Sequence, residues 1–202
     1  PELLTISAVR DTQGRTMHYV ALFTDITPMK EHEQQLKHMA HFDLLTMLPN
    51  LVLLGDRLCQ AMTQTLRRKQ LLTVGYLDLD GFKNINDLHG HHIGDKVLCL
   101  AAARLNGAVR VSDTVARLGG DEFLIICTRT PFDGALQLAE TVRAEVAALR
   151  VPVGDGKWIG SISVGVASRS CEMTGYEALI KAADLGVYAA KRGGRNCVAT
   201  TQ

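Results

Sequence analysis

The sequence lacks a charge excess of either sign. Lys and Arg number 22 against 21 Asp and Glu. A general nucleic-acid binder carries a basic surplus, so that class is excluded, while local basic clusters remain available for a nucleotide. No run approaches the roughly 18 apolar residues of a membrane span, and no membrane contact is expected from this segment. The first residues, Pro1-Glu2-Leu3-Leu4, have neither a signal-peptide layout nor an initiating Met. The expectation is a segment of a longer protein. Cys59, Cys99, Cys127, Cys171 and Cys197 show no Cys-x-x-Cys spacing and lie in apolar or helical surroundings. They read as buried free thiols of a reducing, cytoplasmic compartment rather than as disulfides or a zinc site, although the full-length protein could still be membrane-attached. A Gly-x-x-x-x-Gly-Lys-Ser/Thr loop is missing, which excludes P-loop chemistry. Gly-x-Ser-x-Gly is missing too, so acyl hydrolysis has no support. Internal repeats and low-complexity segments are absent.

What is present is a chain of 202 residues, 47% hydrophobic and 21% charged, enough for one full domain and an appendage. Two strand-like runs, 3–9 and 17–24, flank Asp11-Thr12-Gln13-Gly14, whose residues favour a turn. A hairpin of that size is marginal alone and wants a sheet to complete. Thr27-Pro28 opens a helix, polar over 30–39, with a thin apolar stripe of Leu36, Met39 and Phe42. Such a stripe suits a linker helix that pairs with its own copy, or a solvated connector. After the turn-rich junction 43–50 come a helix over 51–68 and an apolar, central strand over 71–79. A helix over 96–109, a hairpin around Gly119-Gly120, and a helix over 132–150 follow. The remainder reads as an alternating strand over 158–167, a helix over 176–192 and a short strand over 196–199. Alternation of this kind predicts an α/β sandwich, with helices covering a mixed, mostly antiparallel sheet.

Two acidic sites stand out. Asp78 and Asp80 close the most apolar strand, where a carboxylate is a poor structural choice and a common functional one. Asp121 and Glu122 follow the Gly-Gly turn. Adjacent acids repel, and a site so built wants a cation. A carboxylate cluster with few soft ligands favours Mg²⁺ or Mn²⁺. Gly81-Phe82-Lys83-Asn84 turns into a short helix whose free N–H groups, with Lys83, suit phosphate oxygens. Lys191-Arg192-Gly193-Gly194-Arg195 supplies further cations. Acids for metal plus bases for phosphate are the equipment of phosphoryl or nucleotidyl transfer. His89, His91 and His92 crowd one Gly-punctuated stretch, which reads as a loop rather than a metal site.

Three blocks in order and spacing now carry a resemblance. They are Gly119-Gly120-Asp121-Glu122-Phe123, the upstream Asp78-Leu79-Asp80-Gly81-Phe82-Lys83-Asn84-Ile85-Asn86-Asp87, and the downstream Ala190-Lys191-Arg192-Gly193-Gly194-Arg195-Asn196. With the Asp43-Leu44-Leu45-Thr46-Met47-Leu48-Pro49-Asn50 junction they make residues 43–199 resemble the GGDEF family of diguanylate cyclases. The resemblance implies condensation of two GTP into cyclic di-GMP across a homodimer, with two Mg²⁺ (or Mn²⁺) per half-site. It implies Asp78, the Leu79 carbonyl, Asp121 and Glu122 at the metal. It places Asp121 and Glu122 at the chemistry, Glu122 beside the attacking hydroxyl. Asn86 and Asp95 would read guanine, since a carboxylate accepts from both N1–H and N2–H, which adenine does not offer. Phe82, Lys83, Lys191 and Arg195 would serve the triphosphate.

Arg110-x-x-Asp113 matches the spacing of the family's inhibitory product site; a helix-end Arg paired with a strand-start Asp is the plainer alternative. Residues 1–27 resemble the closing strands of a PAS sensor, with Thr24-Asp25-Ile26-Thr27 as its exit and 28–42 as a signalling helix. The domain expected to follow is 43–202. The sequence departs from the family pattern at Met47, where Gly is usual, at Leu51, where Arg is usual, and at Gly81, often an aromatic or His. The competing reading is a catalytically weak GTP- or cyclic di-GMP-binding module controlling a fused, downstream phosphodiesterase domain. A phosphodiesterase on these same acids lacks a positioned general base.

Overall fold

The computed structural model describes residues 1–68, 70–154 and 156–200, with only the backbone of Leu66 and Arg68. The chain forms two compact units, residues 1–40 and 41–202. In the first, β1 (Glu2–Arg10) and β2 (Thr16–Asp25) pair antiparallel from Glu2↔Asp25 to Arg10↔Thr16, with a bulge at Val9/Arg10. The Asp11 carboxylate accepts the Gln13 and Arg15 N–H groups, and Gly14 takes φ +79°, which closes the turn. Nearly every ribbon residue is exposed, including Ile6, Tyr19 and Phe23. The Asp25 carboxylate accepts the Thr27 N–H at 2.8 Å, opening α1 (Thr27–His41), which buries no residue.

The second unit is a three-layer sandwich. Its elements are α2 (Leu51–Arg68), β3 (Leu72–Leu79), α3 (Phe82–His89), α4 (His91–Ala108), β4 (Thr114–Gly119), β5 (Glu122–Thr128), α5 (Phe132–Ala147), β6 (Arg150–Val153), β7 (Gly156–Ile159), β8 (Ile162–Ser168), α6 (Tyr176–Arg192) and β9 (Val198–Thr200). The main sheet runs β4-β5-β3-β8-β9. Only the β8–β9 pair is parallel, so the sheet is mixed and mostly antiparallel. All eight residues of the central β3 are buried.

Period-two alternation divides two cores. Leu77, Leu79, Phe123, Ile125, Ile162 and Val164 pack with residues of α4 and α5 such as Val97, Leu105, Val142 and Val146. Leu72, Val74, Tyr76, Leu124 and Ile126 pack beneath α2 and α6, against Leu54, Leu58, Leu179 and Val187. Helix α6 lies directly on β8. A Cβ on Gly165 would overlap the Ala183 main-chain oxygen, and one on Gly186 would come within 2.8 Å of the Gly165 Cα.

Three expectations change. The strand expected over 158–167 is divided at Gly160-Ser161, so that β7 joins β6 in a separate hairpin while β8 enters the main sheet. The break follows from crowding: a Cβ on Gly160 would overlap the Val146 main-chain oxygen at the end of α5. The helix expected from 96 begins at His91, because Gly90 at φ +82° links α3 to α4 without a loop. The cysteines are also expected to be buried, yet Cys59 and Cys99 lie on exposed faces of α2 and α4 and Cys171 in an exposed turn; Cys127 is buried, and that burial pushes its thiol up to about 12.

At the junction, Asn50 Oδ1 accepts the Val52 and Leu53 N–H groups and caps α2. Met47 holds φ +59° in a tight turn, its N–H bonded to the Asp43 carbonyl. A side chain there costs about 1–2 kcal/mol, against roughly 0.5–1 kcal/mol of extra unfolded-state entropy for glycine. Met47 is exposed, so Met47→Gly forfeits no core contact. The expected result is a gain of about 0.5–1 kcal/mol, read from the urea midpoint; an unchanged or lower midpoint contradicts it.

Candidate active site

Strands β3 and β5 are neighbours, and Asp78 lies opposite Glu122 in register. The turn from β4 into β5 uses Gly119 at φ +154° and Gly120 at φ +52°, with a bulge between Arg117 and Gly119. It carries Asp121 beside the end of β3, where the Leu79 N–H donates to the Asp121 carbonyl at 3.2 Å. Opposite, the last turn of α6 presents Lys191, whose Nζ lies 2.6 Å from Asp78 Oδ2. The close seating of α6 on β8 fixes that reach.

Burial pushes Asp78 above the usual carboxylate range. The Lys191 hydrogen bond opposes the shift, and the charge of Asp121 adds to it. Burial raises Asp121 as well, opposed by its own backbone bond and by Lys191 and aided by Glu122. Tyr76 lies two residues before Asp78 on the same face of β3. Burial first, then the Glu122 charge, raise its pKa, so it remains a donor.

Among the described residues, no three acid, His or Cys side chains converge as a ready-made cation cage. The donor chemistry nevertheless fits a hard divalent cation. Two carboxylates, Asp78 buried and Asp121 partly buried, each held up by lost hydration and by a neighbouring acid, gain from an added positive charge, which Lys191 supplies in part. Asp78 and Asp121 are therefore the residues that would hold a metal.

The guanine-reading candidates sit between α3 and α4. Asn86 Oδ1 is buried without a hydrogen-bond partner. A Cβ on Gly94 would overlap it and come within 3.2 Å of Phe82 Cζ. The glycine thus leaves a cradle faced by an unsatisfied acceptor, the mark of a site awaiting a donor. Asp95 is exposed beside it, as are Lys83 and Arg195, while Phe82 is buried beneath. Gly81 at φ +72° turns the end of β3 into α3.

Arg110 and Asp113 stand apart from this centre. The Asp113 N–H donates to the Arg110 carbonyl at 2.9 Å. Both line a cavity of about 220 Å³ with Thr130, Gln137 and Thr141, and Asp113 Oδ1 is buried there without a partner. The plainer expectation, an ion pair between the two, is not what the side chains form among the described residues.

Sequence reasoning missed two residues and misread the role of a third. Arg117 donates to the Gly120 carbonyl through Nε (3.1 Å) and Nη2 (2.7 Å). Its Nη1 reaches both Asp43 oxygens at 3.0 Å, tying the hairpin turn to the junction. Tyr76 is the second. Asp80 is the third: its carboxylate accepts from Ser161 Oγ at 2.6 Å, Ser163 Oγ at 2.7 Å and the Asn196 N–H at 3.0 Å. The alternation of β3 was the one signal for Tyr76; the other two depend on partners far along the chain.

Residues 40–197 match the family described as "Diguanylate cyclase, GGDEF domain". Over 174 residues the chain is 40% identical to the diguanylate cyclase DgcM of Escherichia coli, covering 86% of this chain and 42% of that protein. It is 39% identical over 171 residues to the bifunctional diguanylate cyclase/cyclic di-GMP phosphodiesterase MucR of Pseudomonas aeruginosa, covering 84% and 25% respectively. The chain thus spans less than half the length of these relatives. Among solved structures, the coiled coil and GGDEF domain of DgcB from Caulobacter crescentus in complex with c-di-GMP superposes with a TM-score of 0.80 at 29% identity, covering 86% of this chain and 92% of that one.

Proposed function

The chain belongs to the GGDEF family of diguanylate cyclases, and from that premise we propose that it condenses two GTP into one cyclic di-GMP, releasing two pyrophosphates. The observation that carries the reading is the pair of buried Asp78 and partly buried Asp121, raised above the usual range and partly balanced by Lys191. In each half-reaction the 3′-oxygen of one GTP forms a bond to the α-phosphorus of the other. The bond from that phosphorus to the pyrophosphate oxygen breaks. Asp78 and Asp121, with the Leu79 carbonyl, would hold Mg²⁺ or Mn²⁺, two ions per half-site, which would neutralise developing charge on the phosphates. Glu122 lies beside the attacking hydroxyl and receives its proton or supports the metal. The Glu122 charge helps keep the Tyr76 hydroxyl protonated. Asn86 and Asp95 select guanine, and Phe82, Lys83, Lys191 and Arg195 form the triphosphate pocket.

One half-site holds one GTP, so the reaction needs a second copy of the chain. The exposed ribbon β1–β2 reads as the closing strands of a PAS-like sensor (1–27), with 28–42 as the signalling helix and 43–202 as the cyclase domain. The activity is cytoplasmic. Among the described residues no helix is long and apolar enough to cross a membrane. Incubation of purified dimer with GTP and Mg²⁺, followed by chromatography, tests the reading; absence of cyclic di-GMP defeats it.

The orphaned Asp113 oxygen supports product binding at Arg110 and Asp113, and with it feedback inhibition. Arginine's planar fork suits a guanine edge or a phosphate. Arg110→Ala is expected to weaken cyclic di-GMP binding by about 10- to 100-fold, measured by calorimetry, with the initial rate unchanged at low product. Equal affinity in both proteins would dismiss the site. The same cavity is what favours the second reading, a binding module for a fused phosphodiesterase domain, which requires ligand-dependent control that survives Asp121→Ala.

A further inference from the structure

The turn leaving α6 holds two consecutive side-chain-bearing residues in left-handed backbone, Arg195 at φ +64° and Asn196 at φ +46°. Neither is glycine, although Gly193 and Gly194 stand just before them. Such backbone persists only where surrounding bonds over-determine it, and it gathers where a side chain must be aimed. Three bonds impose it here. The Arg195 N–H donates to the Ala190 carbonyl at 3.0 Å. Arg143 Nη1 donates to Asn196 Oδ1 at 3.2 Å. The Asn196 N–H donates to Asp80 Oδ2 at 3.0 Å.

Asp80 is only 8% exposed, and the serine hydroxyls of 161 and 163 also donate to it. The Asp80 N–H in turn donates to the Ser161 carbonyl at 2.9 Å. The carboxylate therefore fastens the end of β3, the start of β8 and the turn 193–196 to one point. A neutral amide does not replace it: its one oxygen accepts, its nitrogen brings two more donors, and of the three present donors only the hydroxyls can reverse.

We propose that Asp80 is a positioning residue of the nucleotide site, clamping the turn 193–196 so that the Arg195 guanidinium meets the GTP phosphates beside Asp78. The inference rests on the diguanylate cyclase reading, within which Arg195 serves the triphosphate. Its consequence is thermodynamic coupling. Disturbing Asp80 harms nucleotide binding through Arg195 and has little further effect once that side chain is gone.

The test is a double-mutant cycle on the full chain, with GTP affinity measured by calorimetry for wild type, Asp80→Asn, Arg195→Ala and the pair. Asp80→Asn is expected to weaken GTP about tenfold, and the pair to bind no worse than Arg195→Ala alone. Ser161→Ala with Ser163→Ala keeps the charge and removes two donors. It is expected to weaken GTP less, and again only when Arg195 is present; it decides the matter if Asp80→Asn does not fold. Amide exchange at Asn196 is expected to quicken in both, with β3 amides still protected. Multiplying penalties in the cycle, or wild-type affinity in Asp80→Asn, would overturn the proposal. Wild-type protein that binds no GTP removes the cyclase reading and this inference with it, whereas slow Asn196 exchange in Asp80→Asn refutes the clamp alone.

Discussion

Asp121→Ala is expected to lower cyclic di-GMP formation by about 10³-fold or more, because charge neutralisation at the transferring phosphate is worth several kcal/mol. GTP binding through Asn86, Asp95 and the cations is expected to survive, so calorimetry and product formation part company. Loss of both together would mean a folding defect, and retained turnover would remove Asp121 from the chemistry. A second readout needs no catalysis. The folded-state pKa of Asp121 is raised. Stability from such a group is present below the unfolded value near 4 and is lost as pH climbs through the folded value. The ionised side chain is thus a burden at neutral pH. Asp121→Asn is expected to melt higher than wild type at neutral pH, with the gain narrowing as pH falls toward about 4. Added Mg²⁺ is expected to raise the wild-type midpoint and leave that of the variant in place. A variant less stable than wild type at neutral pH contradicts the electrostatic account.

Gly94→Ala is expected to weaken GTP about 30-fold and to erode preference for GTP over ATP, since a site built to pair buried polar groups discriminates through them. One added carbon fills the space that Asn86 Oδ1 now occupies. That atom is buried, so the side chain must rotate away from the cradle rather than shift slightly. The helix itself accepts alanine well, and the midpoint of unfolding is expected to stay within a few degrees of wild type. Affinity for both nucleotides is read by titration. Undiminished GTP selectivity would show that guanine is read elsewhere.

Much of the site was legible because its signals are local. The hairpin required by Gly119-Gly120 and the buried run ending in Asp78 placed two acidic sites at strand ends, and antiparallel pairing then set Asp78 against Glu122. The resemblance assigned Lys191 to the triphosphate and did not pair it with Asp78, since nothing local says which strand end a distant helix meets. Asp80 looked like a companion of Asp78 two residues on; its serine partners lie on a strand that the alternation over 158–167 did not show to be broken. Gly90 and Gly94 made 89–95 read as a loop, whereas one serves a helix-to-helix turn and the other a close approach. Met47 was visible as a departure, and its left-handed backbone shows what the family's glycine is for.

The strand order also dictates when the protein becomes competent. β3 lies between β5 and β8, and the edge strand β9 follows α6. Synthesis runs from the N-terminus, so β3 can meet β5 while β8 has yet to leave the ribosome. One flank of the most apolar strand must wait unpaired, a state open to aggregation and to chaperones. Long-range pairings of this sort also close slowly, because chain entropy is lost before contacts repay it. The acids of the hairpin and of β3 emerge well before Lys191 and the Asp80-bound turn. A truncated or stalled chain therefore carries an acid cluster without Lys191 beside Asp78 and without the Asn196 N–H at Asp80.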